Sequence, residues 1–573
     1  MRTQWGDLLL NHEKASSMNF NHYFTNDELT AILSGWAAYY PSLVVLSSLG
    51  KSHEGREIPL LTLTNQATGP DTDKPAIWID ANIHATEVAG TTTALHIAHT
   101  LLSGYGTDSR CTRLLDTCAV YLAPRLNPDG AELALAALPK YIRSGTRPYP
   151  FDDKADGLHA EDMDGDGRIL QMRIPDPNGD WKVSGLDPKL MEKRGPDEQE
   201  GSFYRLFEEG RIENYDGVQV REARPRQGLD FNRNFPFEWQ PENEQTGAGP
   251  YPTSEVEIRA VVDFISRHPN INIAITYHTF SGVILRPFST RPDDKMDVND
   301  LWVYELMGER GKEITGYKCI SVYHGFRYHP NEVTTGAFDD WAYDHLGIFA
   351  FTIELWDLPG RAGIADRDFI PWFRKHPHED DVKILRWLEA NAPADALVGW
   401  YAYNHPQLGP LELGGLNRMY TFRNPPHALM GEEAEKNTPY ALALADMLPR
   451  LTLRELTATP LGDRRYRLRL VVENSGFLAT NTSGQGQKRN AARPVRVELT
   501  LAAGAALLTG QWRTELGHLQ GRSNKLDVTA HYGSSPTDNR AWTEWVVQGQ
   551  PGDEIGVALL SDRAGNIRTS VTL

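Results

Sequence analysis

His84 and Glu87 stand three positions apart, directly after the apolar run AIWIDANI. His278 follows a second such run, INIAIT, and Glu354 lies in a third, FAFTIELWD. A catalytic zinc takes three protein ligands and keeps one position open for water. Two imidazoles and a carboxylate suit zinc by type and by number. A further carboxylate that does not bind the metal can take the proton of an attacking water. A lone histidine such as His84 is most often a core or helix-cap residue. Here each group ends a short apolar run, which is where an α/β sheet gathers its active site, so the sequence predicts a metal centre of His84, Glu87 and His278 with Glu354 as base.

A second constellation is the stretch Glu161-Asp162-Met163-Asp164-Gly165-Asp166-Gly167. Alternating carboxylates Asp162, Asp164 and Asp166 before a glycine turn offer the hard oxygen ligands that calcium takes. The acid expected at loop position twelve is replaced by Arg173, with Glu161 or Asp176 as substitutes. An acidic surface turn is the competing reading.

The elements that must hold these groups are legible as apolar periodicity. Thr25 and Glu28 form a capping box ahead of Leu29, Ile32 and Leu33, and Pro41 closes that helix. Buried strands are expected at 60–63, 77–79, 120–122, 271–277 and 348–353. Helices are expected at 87–102, 254–266 (with Ser254 and Glu257 as a second capping box), 301–314 and 381–390. The alternation implies an α/β fold: a mixed, largely parallel sheet flanked by helices. Between 148 and 227 the pattern lapses into a long charged insertion, in which RILQMRI and WKV read as a hairpin. After Pro449 polar and apolar residues alternate, as in an all-β sandwich domain. The expected division is a catalytic region over 1–395, a connecting region over 396–448 with a helix near its end, and a β-sandwich over 449–573.

Composition narrows the partners. The chain has 573 residues, 40% hydrophobic and 23% charged, which is globular usage. A net charge of −18 argues against nucleic acid, whose phosphates need a basic face. Three cysteines cannot build a disulfide framework. With no secretory signal and no apolar run long enough for a membrane span, a cytoplasmic protein with no membrane partner is expected, made without an inhibitory prosegment.

From about residue 20 to 390 the chain resembles the zinc carboxypeptidases of the carboxypeptidase A/B family. The resemblance rests on LGKSHEGREIPLLTL, DANIHATEVAG, RLNPDGAEL, GLDFNRNF, ITYHTFSG and DDWAYDHLGIFAFTIELWD, in the family's order. It implies the carboxypeptidase-like fold, zinc as cofactor on His84, Glu87 and His278, and peptides with a free C terminus as substrates. It implies Glu354 as general base and later acid, and Asp230 as the carboxylate that orients the first zinc histidine. Asn232 and Arg233 would hold the terminal carboxylate. Arg143, with Arg147 as the alternative, would polarise the scissile carbonyl. Tyr328, with Tyr323 as second choice, would close over substrate. Phe280 stands where animal members carry a tyrosine. Asp339 lies where an acid goes with preference for Lys or Arg termini, a turn or internal ion pair being its other reading. Two other classes stay open: a zinc amidohydrolase or deacylase acting on N-acyl amino acids or cell-wall peptides, and a non-enzymatic binding protein working through the β tail.

Overall fold

A computed structural model of the chain describes residues 18–523 and 536–573. The leading stretch, in which no secretory signal is read, lies outside the described residues.

The first helix, Asn26–Tyr39, starts as its sequence dictates. Thr25 N–H donates to the Glu28 carboxylate at 2.8 Å, and Glu28 N–H donates back to the Thr25 hydroxyl at 3.3 Å. Leu29, Ile32, Leu33 and Trp36 then fall on one buried face. The second expected capping box is not made. The helix Val256–Arg267 begins after Glu255 with no side-chain cap. Ser254 Oγ donates instead to Glu255 Oε1 at 2.6 Å, and Glu257 Oε1 accepts from the distant His53 N–H at 2.8 Å. Tertiary partners outcompete the local pairing.

The central sheet has eight strands and both parallel and antiparallel pairs. Its middle is a run of parallel neighbours, in the order Ala119–Ala123, Ala76–Ala81, Ile271–Thr279 and Phe349–Leu355. Every residue of these four strands is buried, as expected for a sheet covered on both faces. The helices Ala89–Gly104, Val256–Arg267, Val298–Thr315 and His427–Asp446 pack on it.

The insertion folds differently from its local reading. Gln171–Pro175 and Trp181–Val183 do not pair as a hairpin, because Phe203–Glu208 lies between them and bonds to both. The other edge of Gln171–Pro175 is taken by Gly409–Leu416. The stretch 396–448 thus contributes, besides its helix, two strands to a six-stranded sheet shared with the insertion. Met172 is fully buried at the centre of that sheet and gains a covered strand edge on both sides.

The C-terminal region forms two four-stranded antiparallel sheets that share one core. Leu468, Leu470, Val472 and Val547 enter it from one sheet, and Val497, Ile555, Val557 and Leu559 from the other. This region grips the base of the central sheet. Arg563, 1% exposed, donates to the carbonyls of Ile271 and Leu346, while Asn272 Nδ2 donates to the Arg563 carbonyl at 2.9 Å. Among the described residues no helix is long and apolar enough to cross a membrane.

Arg563→Ala would leave the buried Ile271 carbonyl and the partly buried Leu346 carbonyl without their donor, a loss of about 2–4 kcal/mol. Thermal or urea unfolding should show a marked drop in stability; an unchanged midpoint would contradict the anchoring role.

Candidate active site

The parallel strands place the groups. His278 and Glu354 are register partners on adjacent strands, and Tyr277 pairs with Ala81 on the third. Three residues past Ala81 the chain reaches His84. The helix that follows begins only at Ala89, so His84 and Glu87 sit in a turn before the helix rather than on its first turn. Ala85 N–H to Arg143 O at 2.9 Å and Asn82 Nδ2–H to His84 O at 2.7 Å hold that turn.

His84 Nδ1, His278 Nδ1 and Glu87 Oε2 form a triangle with edges of 3.0, 3.1 and 3.2 Å, and all three side chains are buried. His84 Nε2 lies 3.0 Å from Asp230 Oδ1, so its proton goes to that carboxylate and Nδ1 presents a lone pair. Burial lowers the pKa of His278 to about 4, which keeps its ring in the neutral, ligating form. Three atoms that can each offer a lone pair to a metal therefore converge. Zinc bonds of about 2.0–2.2 Å in a tetrahedron need ligand atoms about 3.3–3.6 Å apart, close to the edges found. The donor set fits zinc.

Charges are arranged around this triangle. Arg143 donates from Nε to Asp230 Oδ2 at 2.8 Å and from Nη1 to Glu87 Oε1 at 3.1 Å. Burial works against the ionised form of Asp230, but Arg143, Arg233 and His84 hold it well below the usual carboxylate range. Glu354 is the opposite case. Burial and then the charge of Glu87 push its pKa well above the usual range, against Arg143, Arg423 and Arg233. One carboxylate is thereby held ionised beside His84, and the other is shifted toward its protonated form.

Arg233 is 9% exposed, bonds through Nη1 to the Asn232 carbonyl at 2.6 Å, and lies 3.9 Å from Asp230 Oδ2. Asn232 Oδ1 accepts from Phe338 N–H at 2.8 Å. Asp339 is buried; Oδ1 accepts from Asp340 N–H, while Oδ2 has no partner. Burial raises its pKa to about 6, and Arg233 is among the groups that oppose this. Tyr328 keeps 54% of its surface exposed, yet the charges acting on its hydroxyl are Arg143, Glu354, Arg233 and Asp230. The ring packs edge-on against Phe326, with centroids 6.0 Å apart.

The alternatives separate clearly. Arg147 pairs with Glu255 at 2.6 Å, away from the triangle. Tyr323 packs against His324 and Arg327. In the second constellation, oxygens of Asp162, Asp164 and Asp166 lie within 4.8 Å of one another. Neither suggested substitute joins them: Glu161 pairs with Arg211 at 3.2 Å and Asp176 with Arg205 at 2.6 Å.

A family profile described as zinc carboxypeptidase matches residues 29–370, more than half of the chain. The chain belongs to the zinc carboxypeptidase family. It is a hydrolase of the metallocarboxypeptidase type. Carboxypeptidase A2 of Rattus norvegicus is 28% identical over 361 residues, covering 61% of this chain and 67% of that protein. Carboxypeptidase B of Astacus astacus is 27% identical over 351 residues, covering 59% and 88%. A solved structure of carboxypeptidase A from Helicoverpa armigera aligns with a TM-score of 0.39 at 19% identity, over 68% of this chain and 80% of that one. Residues 450–572 match a domain of unknown function.

Two residues at this site escape sequence reasoning because they lie beyond the family segment. Asn424 is fully buried; its Oδ1 accepts from Ala89 N–H at 3.0 Å and its Nδ2 donates to Thr86 O at 2.8 Å. It caps a helix whose own N-cap, Val88, has no polar side chain. Arg423 brings Nη1 to 3.6 Å from Glu87 Oε1 and lies over the Phe280 ring, 5.2 Å from its centroid. The only local signal is a pair of arginines in LNRMYTFRNPP, which no motif singles out.

Asp230→Asn keeps the size of the His84 partner but loses its charge. Zinc affinity, read by competition with a chromogenic chelator, should fall about 10–100-fold; unchanged affinity would contradict the orienting role.

Proposed function

We propose that this zinc carboxypeptidase removes the last residue of peptides with a free C terminus, with Glu354 as proton carrier, and that it favours Lys or Arg at that end. Zinc on His84, Glu87 and His278, when bound, supplies Lewis acidity and activates water for attack on the scissile carbonyl. Glu354 accepts a proton during attack and delivers it to the departing amine. Arg143, already fixed by Asp230 and Glu87, offers its guanidinium to the charge growing on the carbonyl oxygen. Tyr328 covers the substrate from the rim.

The observation that carries the reading is Arg233: a buried guanidinium beside the metal triangle whose nearest carboxylate is 3.9 Å away. A substrate's terminal carboxylate, with Asn232 beside it, supplies the missing bidentate partner. The buried, unpartnered Oδ2 of Asp339 supports the basic preference, since a terminal Lys or Arg side chain would satisfy it. The loop carboxylates Asp162, Asp164 and Asp166 are proposed to take calcium as a structural ion.

Peptides with a free C terminus should be hydrolysed at least about 100-fold faster than their C-terminal amides, because an amide leaves Arg233 unpaired; equal rates would sink the exopeptidase reading. Lys- and Arg-ended peptides should exceed Leu-ended ones, and Asp339→Ala should erase the difference. Glu354→Gln should retain zinc and lose about 10²–10⁴ in kcat. Glu354 works as a base only when ionised, and its pKa is raised. The wild-type kcat/KM should therefore fall with falling pH at a point above the ordinary Glu value of about 4.3. Calcium added to stripped protein should raise Tm, and an unchanged melt would remove it from the loop.

A further inference from the structure

Beside the metal triangle lies a cavity of about 910 Å³ whose near end is formed by Thr86, Phe280 and Arg423. Thr86 adjoins Glu87, and Phe280 follows His278 by two residues. Arg233, Asn232 and Asp339 do not line it. A peptide whose terminal residue is held by those three groups, with its last peptide bond at the triangle, must run its preceding residues into this cavity. The inference therefore rests on the carboxypeptidase reading above.

The walls come largely from parts of the chain outside the core of the family fold: the insertion sheet on one side, and the segments around 374–378 and 415–423 on the other. In a chain of net charge −18 these walls collect cations. Arg374, Lys375 and Arg418 have no carboxylate within salt-bridge distance among the described residues, and Lys193 stacks on Trp181 with its ammonium 4.1 Å from the ring centroid. Arg423, the cavity-lining cation nearest the triangle, has only Glu87 within reach, at 3.6 Å.

The acids on the same walls are mostly spoken for. Asp381 pairs with His376 and His378 at 2.9 Å each, and Glu192 with Lys182 at 3.3 Å. Glu208 and Glu222 are the exceptions. Burial raises the pKa of Glu208 and Arg418 opposes it. Uncompensated positive charge thus exceeds uncompensated negative charge in a walled cleft, where low-dielectric surroundings focus the field.

We propose that this cavity binds the part of the substrate N-terminal to the scissile bond and selects acidic residues there. Arg423 is the specificity-determining contact closest to the reacting bond, and Arg374, Lys375 and Arg418 receive carboxylates further upstream. The segment that carries Arg423 is held in place by Asn424, which ties it to the metal-binding turn.

The test uses peptides with one fixed C-terminal residue and Asp/Glu or Asn/Gln at the second to fourth positions upstream. The zinc-loaded full chain should cleave the acidic series with kcat/KM at least about tenfold higher at low salt, the gap narrowing as the Debye length shrinks to about 3–5 Å at high salt. Arg423→Ala and, separately, Arg374→Ala/Lys375→Ala should each bring the acidic-to-neutral ratio toward one. The double variant is on an exposed segment and keeps the test decisive if Arg423→Ala does not fold. A wild-type ratio of one or below, or a ratio intact in both variants, overturns the proposal. Cleavage of no peptide in either series overturns the carboxypeptidase reading, and this inference with it.

Discussion

Three potential ligand atoms held about 3 Å apart and away from water are the constraint around which this protein is built. Such an arrangement is unfavourable unless a cation sits among the donors. The surroundings do nothing to relieve it from within. Asp230 takes the far proton of His84, Arg143 takes the free oxygen of Glu87, and Thr279 N–H reaches Glu87 Oε2 at 3.2 Å. Each contact orients a donor and leaves its inner lone pair open. Burial first, and then the charge of Glu87, raise the pKa of Glu354, so this carboxyl senses the charge on the ligand set.

Precision at that point comes from rigid elements. His278 and Glu354 are neighbours because their strands are parallel and in register, and no loop has to find them. His84 and Glu87 do lie on a turn, and that turn is tied from several directions: by Arg143 O, by Asn82 and by Asn424. Gly336, at φ +65°, lets the chain press against the Arg233 carbonyl and accept Phe235 N–H at 3.0 Å, which sets the backbone around Arg233.

The parts added to the family fold act at opposite ends of one strand. The insertion and the stretch after 396 build a shared sheet that walls one side of the cleft near His278. The C-terminal sheets bind through Arg563 and Asn272 at the start of that strand, at Ile271. The first arrangement lines the cavity beside the site. The second is far from it along the strand, at about 3.3 Å per residue, and contributes to the fold's stability.

Much of the chemistry was determined by the sequence alone. His84, Glu87, His278 and Glu354 are marked by residue type and by position at the ends of apolar runs, and the capping box at Thr25 and the buried strands follow from local periodicity. Local rules failed where distant segments compete for the same groups: Ser254 and Glu257 take partners other than each other, and Phe203–Glu208 separates two strands that read as a hairpin. The pairing of Arg143 with Asp230 and Glu87 and of Arg147 with Glu255, the pairing state of Asp339 and the arrival of Arg423 and Asn424 from beyond the family segment were decided only by the tertiary structure. Spacing along a chain carries no information about which remote side chain will fill a given buried space, and it is burial in that space, not residue type, that sets whether a charge is paired, shifted or left open for a ligand.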